Sequence, residues 1–408
     1  METKSKNTRK KPKVLKFPEG FLWGAATASY QVEGGITNND WARSKMPPAG
    51  LACDHYHRYE EDFRIAKKLG MNAQRISLEW SRIEPERDVW NEDEIYHYQH
   101  VLECLKRNGF TTFVTLQHLT LPVWVAKAGG WSSKATIKEY THYVSKVAVS
   151  LGHLIDFWIT VNEPSMHASF GYNYGTWPPF KRSFLKFLKV YRNMLDAHNR
   201  AYEMIHGHYP SAMVGFTHSI AFNEAANRRS FFDSLVARFA NLASIKETYL
   251  RTKNDFLGVN YYFHNKYQLK LLQVKKVVGK NSVLTDKGWE IYPRGLYEVL
   301  KKLSAFKKPI YITENGVADA RDVLRAEFIR SHVKEIHRAI KRGSQVRGYF
   351  YWSLLDNYEW PVDKRIEKTG YEMKFGLVKV DFEKGLKRII RPSARVYAEI
   401  CRTNSLII

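Results

Sequence analysis

The chain has 408 residues, 44% of them hydrophobic and 14% aromatic, with a formal net charge of +23. This is enough for a large core, and α/β barrels of such length run as one domain; no apolar run reaches the roughly 18 residues of a membrane helix, so no membrane span is expected. The positive charges are scattered, with no RNA-binding aromatic motif and no zinc-finger spacing, so the charge points to solubility and weak adhesion to polyanions and to no specific nucleic-acid partner.

Residues 1–16 carry Lys4, Lys6, Arg9, Lys10, Lys11, Lys13 and Lys16 against one acid, Glu2. Like charges repel and little apolar surface is available for burial, so this tail is expected to be disordered, ahead of one barrel domain over 17–408. Lys16, Pro18, Glu19 and Gly20 interrupt the apolar stretch that follows, which argues against a signal peptide. The cysteines Cys53, Cys104 and Cys401 are too few, and odd in number, for a disulfide framework; a reducing, cytoplasmic setting is expected.

From Phe17 onward, short apolar runs alternate with amphipathic stretches. Eight runs read as strands: Phe21–Tyr30, Ala73–Trp80, Thr111–His118, Asp156–Glu163, Ala212–Ile220, Asp255–Tyr262, Pro309–Gly316 and Val346–Leu355. Several are nearly continuous in apolar character, as strands buried on both faces are. Tyr59, Phe63 and Ala66 mark a helix ending at Gly70. Ile95, Tyr98, Leu102 and Leu105 mark the next, with Asn91 as N-cap before Glu92, Asp93 and Glu94, and Lys106, Arg107 and Asn108-Gly109 at its close. Further helices are expected near 134–151, 184–207, 293–305, 325–342 and 392–402. Strand then helix, repeated eight times without a Gly-x-Gly-x-x-Gly phosphate loop, predicts a closed (β/α)8 barrel rather than an open doubly wound sheet.

In such barrels the chemistry sits at the C-terminal ends of the strands. The run ends here carry Gln31 and Glu33; Arg75 with Glu79-Trp80; His118; Asn162-Glu163; Asn260-Tyr261-Tyr262; Thr313-Glu314-Asn315; and Trp352 followed by Asp356-Asn357-Tyr358-Glu359-Trp360. Amides and carboxylates suit sugar hydroxyls, and indole planes suit the C–H face of a sugar ring. Glu163 and Glu314 each end an apolar strand, where a charge is costly to desolvate. Glycoside cleavage needs two such carboxyls; a pair of structural salt bridges is the alternative. Cys53, His55 and His57 form a Cys-x-His-x-His string that gathers only on a strand, whereas a helix start is expected there, so no metal site is expected.

Several strings together resemble glycoside hydrolase family 1, the β-glucosidase family, over about Phe17 to Glu399. They are Phe17-Pro-Glu-Gly-Phe-Leu-Trp-Gly with Tyr30-Gln-Val-Glu-Gly, Cys53-Asp-His-Tyr-His-Arg-Tyr, Thr160-Val-Asn-Glu-Pro, Gly258-Val-Asn-Tyr-Tyr, Ile312-Thr-Glu-Asn-Gly and Trp352-Ser-Leu-Leu-Asp-Asn-Tyr-Glu-Trp. The resemblance implies a retaining β-glycosidase acting on β-glucosides or β-galactosides without a cofactor. It implies Glu163 as general acid/base and Glu314 as nucleophile, with Arg75 and Tyr262 against the nucleophile and Asn162 at the sugar 2-hydroxyl. Gln31, His118, Asn260, Trp352, Glu359 and Trp360 would surround the glycone, and Trp177 the aglycone side. Glu359 implies a neutral glycone, since family members acting on 6-phosphorylated sugars lack a glutamate there. Departures are trimmed loops over 35–53 and between the fifth and sixth strands, Leu119 in place of an aromatic residue, and a longer, charged 361–373 segment. They leave a transglycosidase, or a catalytically weak barrel that binds sugars or other small molecules, as alternatives.

Overall fold

The computed structural model describes residues 12–270, 273–279, 281–361 and 370–408. Eight strands form a closed parallel barrel: β1 Leu22–Ala26, β2 Ala73–Ser77, β3 Thr111–Gln117, β4 Phe157–Asn162, β5 Met213–Ser219, β6 Leu257–Asn260, β7 Ile310–Asn315 and β8 Val346–Trp352. Each pairs with the next in sequence, and β8 returns to β1. All eight expected runs contain a barrel strand. The first run overshoots most, because Ser29–Val32 turns into a short helix at the barrel rim.

The strands stay buried because helices cover the outside while side chains fill the inside. The floor is aromatic: Phe113 stacks on Phe157 with ring centroids 4.1 Å apart, and Phe350, Tyr311 and Phe256 close around them. Gly24 on β1 makes room for this plug, since a Cβ there would lie 2.7 Å from the Phe350 ring. Polar side chains begin one layer higher, so the groups at the mouth stand on a medium of low polarizability. Among the described residues no helix is long and apolar enough to cross a membrane.

The basic tail ends sooner than expected. Val14–Lys16 is a strand paired antiparallel with Ser405–Ile407, with Leu15 buried between flanking lysines. Two short edge strands that satisfy each other's backbone outweigh the local charge repulsion. Residues 1–11, and 362–369 of the charged 361–373 segment, lie outside the described residues. Two further features are absent from the sequence-based expectation: a helix over Phe231–Leu250, and a three-stranded sheet of Phe222–Ala225, His264–Lys270 and Gln273–Val277.

The hairpin of Val378–Asp381 and Lys387–Ile390 is tied to the first long helix by buried ions. Asp62, fully buried on helix His55–Lys68, accepts from Arg388 Nε at 2.8 Å and Nη2 at 3.0 Å, and pairs with His55 Nδ1 at 2.8 Å. Despite burial, the His55 and Arg388 contacts hold its carboxyl below the usual range. Asp62→Ala strands a buried guanidinium, so a loss of about 3–5 kcal/mol is expected, read as an earlier denaturant midpoint.

Candidate active site

Two irregularities in the barrel set the site. Strict alternation along β7 would point Thr313 inward and Glu314 outward. A register shift between Ile312 and Glu314 breaks the alternation and aligns Glu314 with Asn260 of β6. A second shift on β4, between Ile159 and Asn162, brings Asn162 opposite Thr217. Bulges re-aim side chains in this way. Glu163 then leaves β4 in a left-handed conformation, φ 47° and ψ 58°, at the N-cap of helix Pro164–Ala168. That backbone state costs on the order of 1–3 kcal/mol for a residue with a Cβ, which the surrounding structure has to offset. Just beyond β7, Gly316 is required by close approach: a Cβ there would overlap the Trp352 carbonyl oxygen.

Arg75 on β2 stands at the centre, fully buried. Its Nη1 donates to Glu314 Oε1 at 2.5 Å, its Nη2 to Asn162 Oδ1 at 2.7 Å and its Nε to Thr115 Oγ1 at 3.1 Å. Tyr262 Oη donates to the other Glu314 oxygen at 2.9 Å. Glu163 accepts from Asn260 Nδ2 at 2.8 Å. That amide is fixed from behind, because Thr217 donates to Thr313 at 3.0 Å and Thr313 donates to Asn260 Oδ1 at 2.9 Å. The same Nδ2 lies 3.5 Å from Asn162 Oδ1, which ties it to the amide that Arg75 orients.

The two carboxyls are therefore unequal. Burial pushes both up. At Glu314 the Arg75 charge and the Arg75 and Tyr262 hydrogen bonds pull against that rise. Among the described residues no cation touches Glu163, which is raised by burial, and further by Glu314, to about 8. The contacts therefore favour the charge on Glu314 and the proton on Glu163, the split that lets one site hold both an acid and a nucleophile.

Around the pair lies a cavity of about 130 Å3 whose wall includes His118, Leu119, Trp177, Trp352, Glu359 and Trp360. Asn162 Nδ2 donates to His118 Nε2 at 3.2 Å, so in this assignment the proton sits on Nδ1, which is buried with no partner. Burial, and next the Arg75 charge, keep His118 neutral by pushing its pKa well down. His118 lies nearly parallel to both Trp352 and Trp360, at interplanar angles of 20° and 19°. Trp177 is fastened by its indole N–H to the Pro361 carbonyl at 2.7 Å.

Not every expected residue reaches this cavity. Gln31 sits behind the Glu359 segment, donating to the Tyr358 carbonyl at 2.5 Å and leaving Oε1 buried without a partner. Glu33 is held by Arg82 at 2.9 Å and by the Tyr98 hydroxyl. Glu79 accepts from Ser29, Asn39, Ser81 and Thr120, and serves the wall rather than the mouth. His55 and His57 are held by Asp62 and Asp54. Sequence reasoning missed Met166, Phe170, Phe263, Lys287, Trp289 and Phe375, all in the cavity wall. Only Trp289, an indole after Gly288, carried a signal in the sequence.

The glycosyl hydrolase family 1 model matches residues 14–237 and 229–406. The chain belongs to this family and is a glycoside hydrolase acting on O-glycosyl bonds. The β-glycosidase from Pyrococcus horikoshii superposes with a TM-score of 0.88 at 37% identity, covering 97% of this chain and 96% of that one. β-Glucosidase A of Thermotoga maritima is 33% identical over 451 aligned positions, 96% of this chain and 99% of that protein. The β-galactosidase of Pyrococcus woesei is 30% identical, with 96% and 98% covered. The first of these sequence alignments is longer than the 408-residue chain, so it carries gaps here, consistent with trimmed loops.

Arg75→Lys keeps a charge but cannot meet Glu314, Asn162 and Thr115 together. Hydrolysis of a nitrophenyl glycoside is expected to fall by at least about 100-fold, equivalent to about 2.7 kcal/mol, in steady-state kinetics on folded protein.

Proposed function

We propose that the protein is a retaining β-glycosidase, with Glu163 as general acid/base and Glu314 as nucleophile. The observation that carries this reading is a pair of unequal buried carboxyls lining one cavity, Glu314 held by Arg75 and Tyr262 and Glu163 held by the Asn260 amide. Asn260, register partner of Glu314 and donor to Glu163, links the two, in keeping with the roughly 5–5.5 Å between the carboxyls of retaining enzymes rather than the roughly 6.5–9.5 Å of inverting ones.

In the first step protonated Glu163 gives its proton to the glycosidic oxygen as that bond breaks. Glu314, freed of a proton by Arg75 and Tyr262, forms a bond to the anomeric carbon. Its negative charge is then consumed, one cause of the raised Glu163 pKa disappears, and Glu163 can ionise. It next takes a proton from water, whose oxygen attacks the anomeric carbon and releases Glu314. Asn162, oriented by Arg75, is placed to bond the hydroxyl beside the anomeric centre, and the His118 Nδ1–H is a second unpartnered donor. Trp352 and Trp360 offer planes to the glycone, and Trp177 with Met166 and Phe170 lines the side proposed for the aglycone. β-Linked glucosides and galactosides are the proposed substrates, in keeping with the names of the relatives. Three buried, unpaired cysteines suit a reducing, cytoplasmic setting.

The test is a panel of nitrophenyl α- and β-glycosides. Hydrolysis of a β-glucoside or β-galactoside, sparing the α-anomers and falling by at least about 1,000-fold in Glu314→Gln, is the expected result. No turnover of any β-glycoside by folded protein overturns the reading. The pH profile adds a second check. Glu163 must be protonated to act first, so kcat/KM is expected to hold below its pKa and decline as pH rises through about 8. A flat profile to pH 10 would contradict the acid assignment.

A further inference from the structure

Two helix tips on the mouth side of the barrel hold large apolar side chains in water. Helix Phe184–His208 follows β4 and helix Phe231–Leu250 follows β5, so both start at the end of the barrel where the cavity opens. At the first tip Phe184 and Leu185 are 61% and 78% exposed. At the second Phe231, Phe232 and Leu235 are 72%, 62% and 52% exposed. Both tips are anchored. Lys181 N–H donates to the Gly171 carbonyl at 2.9 Å and Ser183 N–H to the Tyr172 carbonyl at 2.7 Å. These bonds join the first tip to the turn that bears Phe170, a wall residue of the cavity. The second tip is fixed by Asp233, a buried carboxylate that accepts from the Leu269 N–H at 2.9 Å and the Asn227 N–H at 3.3 Å. Exposed Tyr174 stands beside Phe170, with ring centroids 5.7 Å apart. It is also near Tyr267, on the strand of Leu269, whose phenol is pushed up by burial and next by Tyr174. Apolar side chains kept in water on an ordered rim mark an interaction surface.

We propose that the two tips form a docking surface for an anionic phospholipid bilayer, with the mouth of the barrel turned toward the membrane. Charge decides the partner. Residues 181–192 carry five exposed cations and no acid. Residues 228–238 add three exposed arginines against Asp233 alone, whose carboxylate is directed into the fold. Among the described residues only Arg228 of these cations has an ion pair, with Glu224 at 2.9 Å. A rim of one sign repels a second copy of itself and attracts an anionic surface. Nucleic acid would answer the cations but would leave Leu185 and Leu235 without an apolar medium. A bilayer answers both, since headgroup phosphates meet Lys and Arg while Phe and Leu enter the boundary with the acyl chains. The formal net charge of +23 adds attraction at long range, which salt screens. The inference gives none of these side chains a part in hydrolysis, so it stands or falls apart from the glycosidase reading.

The experiment sediments the full chain with vesicles of phosphatidylcholine, alone or mixed with phosphatidylglycerol, at physiological salt. Wild type is expected to partition at least about tenfold more strongly onto the mixed vesicles. Phe184→Ser with Leu185→Ser, and Phe231→Ser with Phe232→Ser, leave the net charge unchanged. Each pair is expected to lower that partitioning at least about fivefold. Lys186→Gln with Lys189→Gln is expected to lower it at least about threefold and to flatten its salt dependence. All these side chains are exposed, so the Tm of each variant is expected to match wild type. Binding to a DNA duplex is the control for charge alone, and the serine pairs are expected to leave it unmoved. Three results overturn the inference: no partitioning onto mixed vesicles, equal partitioning onto neutral ones, or mixed-vesicle binding that either serine pair leaves unmoved. The last of these, with DNA held as tightly as the vesicles, would make the rim a site for polyanions instead.

Discussion

A guanidinium with no exposure to water, held above an aromatic plug, is the constraint on which the rest of the site depends. Arg75 cannot lose its charge and cannot reach solvent, so the barrel has to answer it from within. Glu314 supplies the counter-charge, and Asn162, Thr115 and the Thr313 carbonyl accept from further guanidinium donors. The consequences spread outward from there. Asn162, once oriented, aligns His118, and His118 lies against the two tryptophan planes. Glu163 stands in the same buried space with no cation touching it among the described residues, and that difference favours the proton on Glu163 and the charge on Glu314.

The plug beneath Arg75 matters as much as its partners. Phe113, Phe157, Phe350, Tyr311 and Phe256 fill the barrel beneath it with rings, so the charges above them sit against a medium less polar than water. The positions that fit poorly with regular structure gather at the same level. Bulges interrupt β4 and β7, and Glu163 and Leu119 both have positive φ. Strain concentrated where two carboxyls must converge is what a preorganised site requires.

Much of this was legible in the sequence, and for a physical reason. Strands buried on both faces must be continuously apolar, so runs such as Phe157–Asn162 and Ile310–Asn315 stand out, and polar residues at their ends announce the mouth. The bulges were not legible, because alternation by two predicts that Thr313 and Glu314 face opposite ways. Lys287 was hidden because Thr285-Asp-Lys-Gly has the composition of a turn, and it lines the cavity through the Asp286 N–H bond to the Ala318 carbonyl and the Trp289 ring beside it. Helix Phe231–Leu250 was missed because Phe231, Phe232 and Leu235 stay exposed, blurring the amphipathic pattern. The tail was misread at Val14–Lys16 because its strand partner, Ser405–Ile407, lies at the opposite end of the chain.

The assignment of Glu314 as nucleophile is tested most directly by trapping the covalent intermediate. A 2-deoxy-2-fluoro-β-glucoside with a dinitrophenyl leaving group forms the glycosyl-enzyme faster than it is hydrolysed, because fluorine destabilises the oxocarbenium-like transition state of both steps while the good leaving group speeds only the first. Intact-mass spectrometry should show one fluoroglucosyl adduct per chain, with peptide mapping placing it on Glu314. Turnover of ordinary β-glucosides by enzyme that carries no adduct, or an adduct on any other residue, would contradict it.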